Sequence, residues 1–381
     1  MKHMARPVVE RSLMAALAAA SLLVLTACSS GSPKHKPAEL APVVALVGVK
    51  PAWSASLGGV EFPLDAQVTG STLTLASSAG QVTALDATTG RELWRADAKA
   101  GITAGVGGDG KQVAVVTSNN ELVSFVAGRE VWRRQLPAQV FTAPLVAGGR
   151  VFVLAADRSV SAFDAESGRK IWTQQRPGEP LVLRQPGVLI PVNDTLVAGL
   201  SGRLAGLNPA NGGIRWEAPL ATPRGTNDVE RLVDLVGRVS RVDDSVCVRA
   251  FQAAVGCVQA QRGTLSWTKP ANGFTGVHGD AATVFGTESD GRLVAWRRAD
   301  GERLWTSDRL QYRRLTAPLL LGRSLAIGDD AGFVHLLSRE DGSSLNRLST
   351  DGSPIAVAPV LADGVLVVVT RKGGVFAFRP E

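Results

Sequence analysis

A glycine followed four positions later by a tryptophan returns along this chain at a nearly fixed interval, and few features restrict a fold more than a period does. The pairs are Gly90–Trp94, Gly128–Trp132, Gly168–Trp172, Gly212–Trp216, Gly263–Trp267 and Gly301–Trp305. Gly342 is followed at the same distance by Asn346, and one period ahead of Trp94 stands Trp53. Successive positions of this slot lie 41, 38, 40, 44, 51, 38 and 41 residues apart. A repeat of that length is one supersecondary unit that buries its apolar face only against its neighbours.

Each period has the same internal order. In "FTAPLVAGGRVFVLAADRSVSAFDAESGRKIW" an apolar run, Phe141 to Val146, meets a Gly-Gly turn. An alternating run from Val151 to Ala155 follows, then the turn "ADRS", a run from Val160 to Phe163, the turn "DAESG" and "RKIW". These are four short β-runs with tight turns and no helical periodicity. Asp86 and Asp164 recur at one turn position, where a carboxylate accepts from nearby backbone N–H groups, and the glycine tolerates positive φ. Four strands in about 40 residues predict an all-β, eight-bladed β-propeller. Seven blades fit between Trp53 and Asn346. The eighth takes Ile355–Pro359, Val365–Thr370 and Val375–Arg379 from the C-terminus, and its outermost strand from the residues around Trp53, which closes the ring and removes sheet edges. Trp53, Trp94, Trp132, Trp172, Trp216, Trp267 and Trp305 are then blade-docking residues. Each buries roughly 150–250 Å², with a gross upper bound near 4–6 kcal/mol at about 25 cal/mol per Å².

The first residues stand apart from the repeat. A basic start, "MKHMARPVVER", leads into the apolar "SLMAALAAASLLVL", too short and too rich in small residues for a stable span. Then comes "LTAC", Leu25 to Cys28, which resembles the lipobox of bacterial lipoprotein signal peptides. That resemblance implies cleavage before Cys28 and lipidation of its thiol. Ser29 follows where an aspartate typically retains lipoproteins at the inner membrane, which favours the periplasmic face of the outer membrane. The expected organisation is a signal peptide over 1–27, a lipidated flexible tether over 28–45 and the propeller over 46–381. The net charge of +7 comes from basic residues scattered among acids with no aromatic-basic cluster, so a nucleic-acid partner is not expected. Cys247 and Cys257, in "SVCVRAFQAAVGCVQA", lie on consecutive strands; a cross-strand disulfide and two buried thiols both fit, and a zinc site without nearby histidines does not.

No catalytic cluster emerges. Of the histidines, His3 leaves with the signal, His35 is in the tether, and His278 and His335 fall in different blades without a partner motif. The repeat "A-x-D-A-x-x-G-x-x-x-W" resembles the tryptophan-docking repeat of pyrroloquinoline-quinone dehydrogenases. Those enzymes carry a vicinal cysteine pair beside the cofactor and a calcium site. This chain has no Cys-Cys and no insertions for a substrate chamber, so no catalytic residue, cofactor or metal is expected. A quinone dehydrogenase and a propeller lipoprotein that binds cell wall or polysaccharide are the alternatives.

From lipobox to last strand, the chain resembles the BamB family, propeller lipoproteins of the outer-membrane β-barrel assembly (BAM) machinery. The specific features are "LVLRQPG", Leu181 to Gly187, and "VERLVDLVGRV", Val229 to Val239. In the family a Leu-x-Leu-Arg segment and an acidic segment one blade later contact the POTRA domains of BamA, the barrel-forming subunit. The resemblance places Leu181, Leu183 and Arg184 in the first and Asp234 in the second; Val236 replaces the family's second acid. Independently, "TQQRPGEPLVLRQPG" joins the fourth strand of one blade to the first of the next, since Ala-Pro or Gln-Pro opens a first strand at Pro144, Pro186, Pro318 and Pro359. The 51-residue spacing puts the insertion "TPRGTNDVER" in the equivalent connection one blade on. Equivalent loops share a face, so two leucines and an arginine are expected beside an acidic loop on one exposed patch. The implied function is a scaffold that binds BamA and the rest of the BAM complex at the outer membrane. Exposed strand edges could also dock unfolded outer-membrane proteins.

Overall fold

A computed structural model describes residues 35–176, 181–224, 226–228 and 231–381. It contains eight four-stranded antiparallel sheets. Blade one is Gln67–Thr69, Thr72–Ala76, Gln81–Asp86 and Glu92–Asp97; blade three is Leu145–Ala147, Arg150–Leu154, Val160–Asp164 and Lys170–Gln174. Blade four begins at Leu189–Val192 and ends with Ile214–Pro219, and blade five runs from Leu235–Val242 through Ser245–Ala250 and Ala254–Gln259 to Thr264–Pro270. First strands touch first strands of adjacent blades, so they ring the axis. Fourth strands lie outermost, and the middle two are almost wholly buried. That burial explains the runs of Val, Leu and Ala in the second and third strands: both faces of each are covered by a neighbouring blade.

The ring closes as the repeat predicts. Val49–Ser56 pairs antiparallel with Gly374–Pro380, with Val49 opposite Pro380 and Ser56 opposite Gly374, and becomes the fourth strand of blade eight. The first strands are shorter than their apolar runs suggest. Blade three starts at Leu145 rather than Phe141, and blade eight starts at Val360–Ala362 rather than Ile355–Pro359. Ile355 makes one isolated bridge to Thr370. The prolines explain the difference: Pro144 and Pro359 have no N–H for the ladder, so pairing begins just after them.

The tryptophans dock blade to blade. Trp53, Trp132, Trp172, Trp267 and Trp305 each donate the indole N–H to a main-chain carbonyl in the third-to-fourth turn of the following blade, at 2.7–3.2 Å. Each ring packs against the glycine of that turn. Gly168 has φ +68°, and a Cβ there would stand 2.5 Å from the Trp132 ring. The glycine that precedes one tryptophan is therefore the seat of the tryptophan before it. The aspartates are turn formers. Asp86 accepts from the N–H groups and hydroxyls of Thr88 and Thr89, whose bonds, the Thr88 hydroxyl first, hold its pKa at about 2.

Asn346 fills the tryptophan slot of blade seven for a reason visible here. The next third-to-fourth connection would join Gly374–Pro380 to Val49–Ser56, but in place of a turn Glu381 donates its N–H to the Gly48 carbonyl at 3.1 Å. With no glycine turn to seat an indole, the Asn346 amide donates to the Val47 carbonyl at 2.8 Å. Residues 38–48, which include part of the stretch read as tether, run along the same flank. The Ala38 N–H bonds to Gln311, the Leu46 N–H bonds to Leu345, and Leu40 packs into the core beside Trp305.

Candidate functional site

Successive strands alternate in direction, so fourth-to-first connections and second-to-third turns emerge at the same end of every blade. Three of these meet at the site. They are the connection into blade four carrying Leu181–Arg184, the connection into blade five ending at Asp234, and the second-to-third turn of blade three carrying Arg158. Pro177 to Pro180 and, in the insertion, Gly225, Val229 and Glu230 lie outside the described residues, as do Cys28 and everything before His35.

Leu181 is 40% exposed and Arg184 is exposed, with its guanidinium carbon 5.9 Å from the Phe141 ring centroid. Leu183 is half-buried. It lines a cleft of about 60 Å³ beneath the segment, with Phe141, Leu154, Leu200 and Val236. In a regular strand two residues at this spacing would share a face; this segment is not a ladder strand, and it leaves Leu181 outward while Leu183 turns into the cleft.

Asp234 is not an acid held out to solvent, as the expected acidic patch required. One carboxylate oxygen accepts from Arg158 Nη1 at 3.0 Å and the other accepts from the Leu183 backbone N–H at 3.0 Å. Arg158 Nη2 donates to the Leu181 carbonyl at 2.9 Å. The Arg158 and Asp234 side chains are only 8% and 17% exposed. The Asp234 carbonyl accepts from the Phe251 N–H at 3.0 Å, which ties this acid to blade five. Val236 is 1% exposed and pairs with Arg249. A carboxylate in that position would point into the cleft floor and be costly to bury without a partner.

Arg158 and Phe141 escaped the sequence reading, because each lies in a turn or entry segment of a different repeat and nothing local marks it. A further buried cluster was missed too. Trp296, the tryptophan outside the slot, is 4% exposed and has the Arg249 guanidinium 5.9 Å from its ring. Arg249 is paired with Glu288 at 3.0 Å inside blades five and six.

Cys247 and Cys257 face each other across adjacent strands of blade five with sulfur atoms 1.90 Å apart, a bonded pair. Among the described residues, no three or more His, Cys, Asp or Glu side chains gather as a metal site. His278 Nδ1 accepts from the Leu320 N–H at 3.0 Å, and His335 bonds to Asp329 at 2.9 Å, so both are engaged within the scaffold.

A family model described as outer membrane protein assembly factor BamB matches residues 78–307. The outer membrane protein assembly factor BamB of Burkholderia pseudomallei is 37% identical over 368 residues, covering 95% of this chain and 97% of that protein. The one from Bordetella pertussis is 34% identical over 376 residues, covering 97% of each. Among solved structures, BamB from Moraxella catarrhalis superposes with a TM-score of 0.80 at 23% identity, over 87% of this chain and 99% of that one. Quinohemoprotein alcohol dehydrogenase from Comamonas testosteroni reaches 0.67 at 13% identity, over 90% and 80%, which is a likeness of fold alone.

Proposed function

This chain belongs to the BamB family of outer membrane protein assembly factors, and from that membership we propose that it is a non-catalytic scaffold which binds the POTRA domains of BamA and so assists insertion of β-barrel proteins. The observation that carries the reading is the Leu181–Arg184 segment. It stands clear of the blade ladders on one end of the propeller, with Leu181 and Arg184 outward and the intervening backbone held from below. An apolar anchor beside an arginine stacked on an aromatic ring is the composition that interface centres favour. The Leu25–Cys28 lipobox supports a lipid anchor at Cys28 on the periplasmic face of the outer membrane, with the residues after it as the tether. In that oxidising compartment the Cys247–Cys257 bond is stable.

The test is a Leu181→Ala, Leu183→Ala, Arg184→Ala triple variant of the full chain. Co-purification of BamA should fall at least about tenfold, the loss of roughly 1.4 kcal/mol or more that hot-spot truncation brings. A folded triple variant that retains BamA undiminished refutes the docking site.

A further inference from the structure

The geometry around Asp234 assigns it a role different from a charge offered to a partner. Both of its oxygens are spent inside the molecule, on the Arg158 guanidinium and on the Leu183 N–H. Arg158 in turn holds the Leu181 carbonyl. Among the described residues, the bonds that tie Leu181 and Leu183 through their backbones run to this pair, and the segment joins no strand ladder. Arg158 sits in the left-handed region at φ +64°, a conformation L side chains seldom adopt. Its turn is braced there by the Asp157 carboxylate, which accepts from the Ser159 N–H and hydroxyl at 3.0 and 2.6 Å. From that position one guanidinium links the turn of blade three to the connections entering blades four and five.

We propose that Arg158 and Asp234 form a latch that presets the Leu181–Arg184 segment for docking, and that Asp234 acts through this positioning rather than by meeting the partner. The proposal rests on the docking reading above. Its physical content is preorganisation: a segment already fixed in shape loses less freedom on binding. A carboxylate whose oxygens already serve two donors in a half-buried site has little to gain from a third. It also accounts for Val236. A latch needs one acid, and position 236 is buried at the cleft floor, where a second carboxylate would be costly to bury without a partner.

The experiment uses the full-length chain with Arg158→Met, Asp234→Asn and Arg158→Lys. Amide exchange at Leu183 is read in the free protein, and association with BamA POTRA domains is read as a function of salt. Arg158→Met and Asp234→Asn should each speed Leu183 exchange by about tenfold or more, because a local tie is lost without global unfolding. Affinity for BamA should fall several-fold, with the salt dependence of the association rate unchanged. Arg158→Lys keeps the charge but cannot fork to both the Asp234 carboxylate and the Leu181 carbonyl, so it should fall between wild type and Arg158→Met. If Asp234→Asn weakens binding while Leu183 stays protected, and flattens the salt dependence, the carboxylate touches the partner directly and the latch is overturned. If the segment loosens and BamA capture does not change, presetting by the latch is overturned, while the docking reading is decided separately by the Leu181, Leu183, Arg184 triple variant.

Discussion

At Gly168 two demands fall on one residue: the backbone lies at φ +68°, and the Trp132 ring leaves no room for a Cβ. Gly148 shares the first demand, at φ +57°, but has nothing within 4 Å of where a Cβ would be. The pair separates conformational from packing cost. Gly148→Ala should cost about 1–2 kcal/mol, the left-handed penalty alone. Gly168→Ala should add about 1–3 kcal/mol for the forced displacement of a buried ring, seen as a lower urea midpoint with an unchanged slope. Equal losses would show that the tryptophan seat contributes nothing. The sequence displayed this glycine only as a turn residue, because its packing partner, Trp132, lies one repeat upstream. Arg158 was invisible for the same reason in stronger form: it reads as a polar turn residue in "ADRS", and its partner Asp234 is 76 positions away. Leu181, Leu183, Arg184 and Asp234 were found through family likeness. The division of the leucines into outward and inward, and the inward use of the acid, needed coordinates.

Among the elements, Val49–Ser56 is the one whose placement the repeat fixed most directly. A blade one strand short at the C-terminus and one surplus tryptophan strand at the N-terminus have a single pairing that removes both edges. What precedes that strand was less legible. Residues 38–45, "AELAPVVA", are rich in alanine and small apolar residues with no repeat pattern, and they follow directly on the polar stretch read as tether. Their contacts are mostly main-chain: Ala38 and Leu46 bond to Gln311 and Leu345, and Arg313, Arg323 and Arg347 donate to the carbonyls of Ala38, Leu46 and Ala41. Carbonyls and N–H groups carry no sequence signature. The two parts of the N-terminal segment should therefore behave differently when removed. A chain beginning at Val49 should keep a closed, monomeric ring with a modestly lower melting temperature. A chain beginning at Leu57 should expose the Gly374–Pro380 edge and self-associate, read by light scattering. A monomeric chain lacking Val49–Ser56 would mean that closure does not depend on this strand.

The closed ring also creates an environment that no single blade has. Asp65, at the entry to blade one, feels the charge of Arg238, in the first strand of blade five, and Arg238 donates to the Pro359 carbonyl at the start of blade eight, 2.9 Å away. Side chains from blades so far apart around the circle meet only near the axis. Asp65 keeps an exposed surface, but the protein packed around it desolvates the carboxylate and raises its pKa from 3.8 to about 6, in spite of the opposing attraction of Arg238. Burial, followed by repulsion from Arg238 and Arg298, lowers His278 from 6.5 to about 4, with Asp280 pulling the other way. The two act oppositely on stability. As pH falls from about 6 to 3.8, the folded state takes up a proton at Asp65 before the unfolded chain does, so this group stabilises the fold. As pH falls from 6.5 to about 4, the unfolded chain protonates first at His278, so that group destabilises it. In the wild type these slopes oppose each other. Asp65→Asn removes only the first, so the melting temperature of the variant should drop more steeply than that of the wild type between pH 6 and 4. Parallel profiles would mean that Asp65, through its exposed surface, titrates as an open carboxylate.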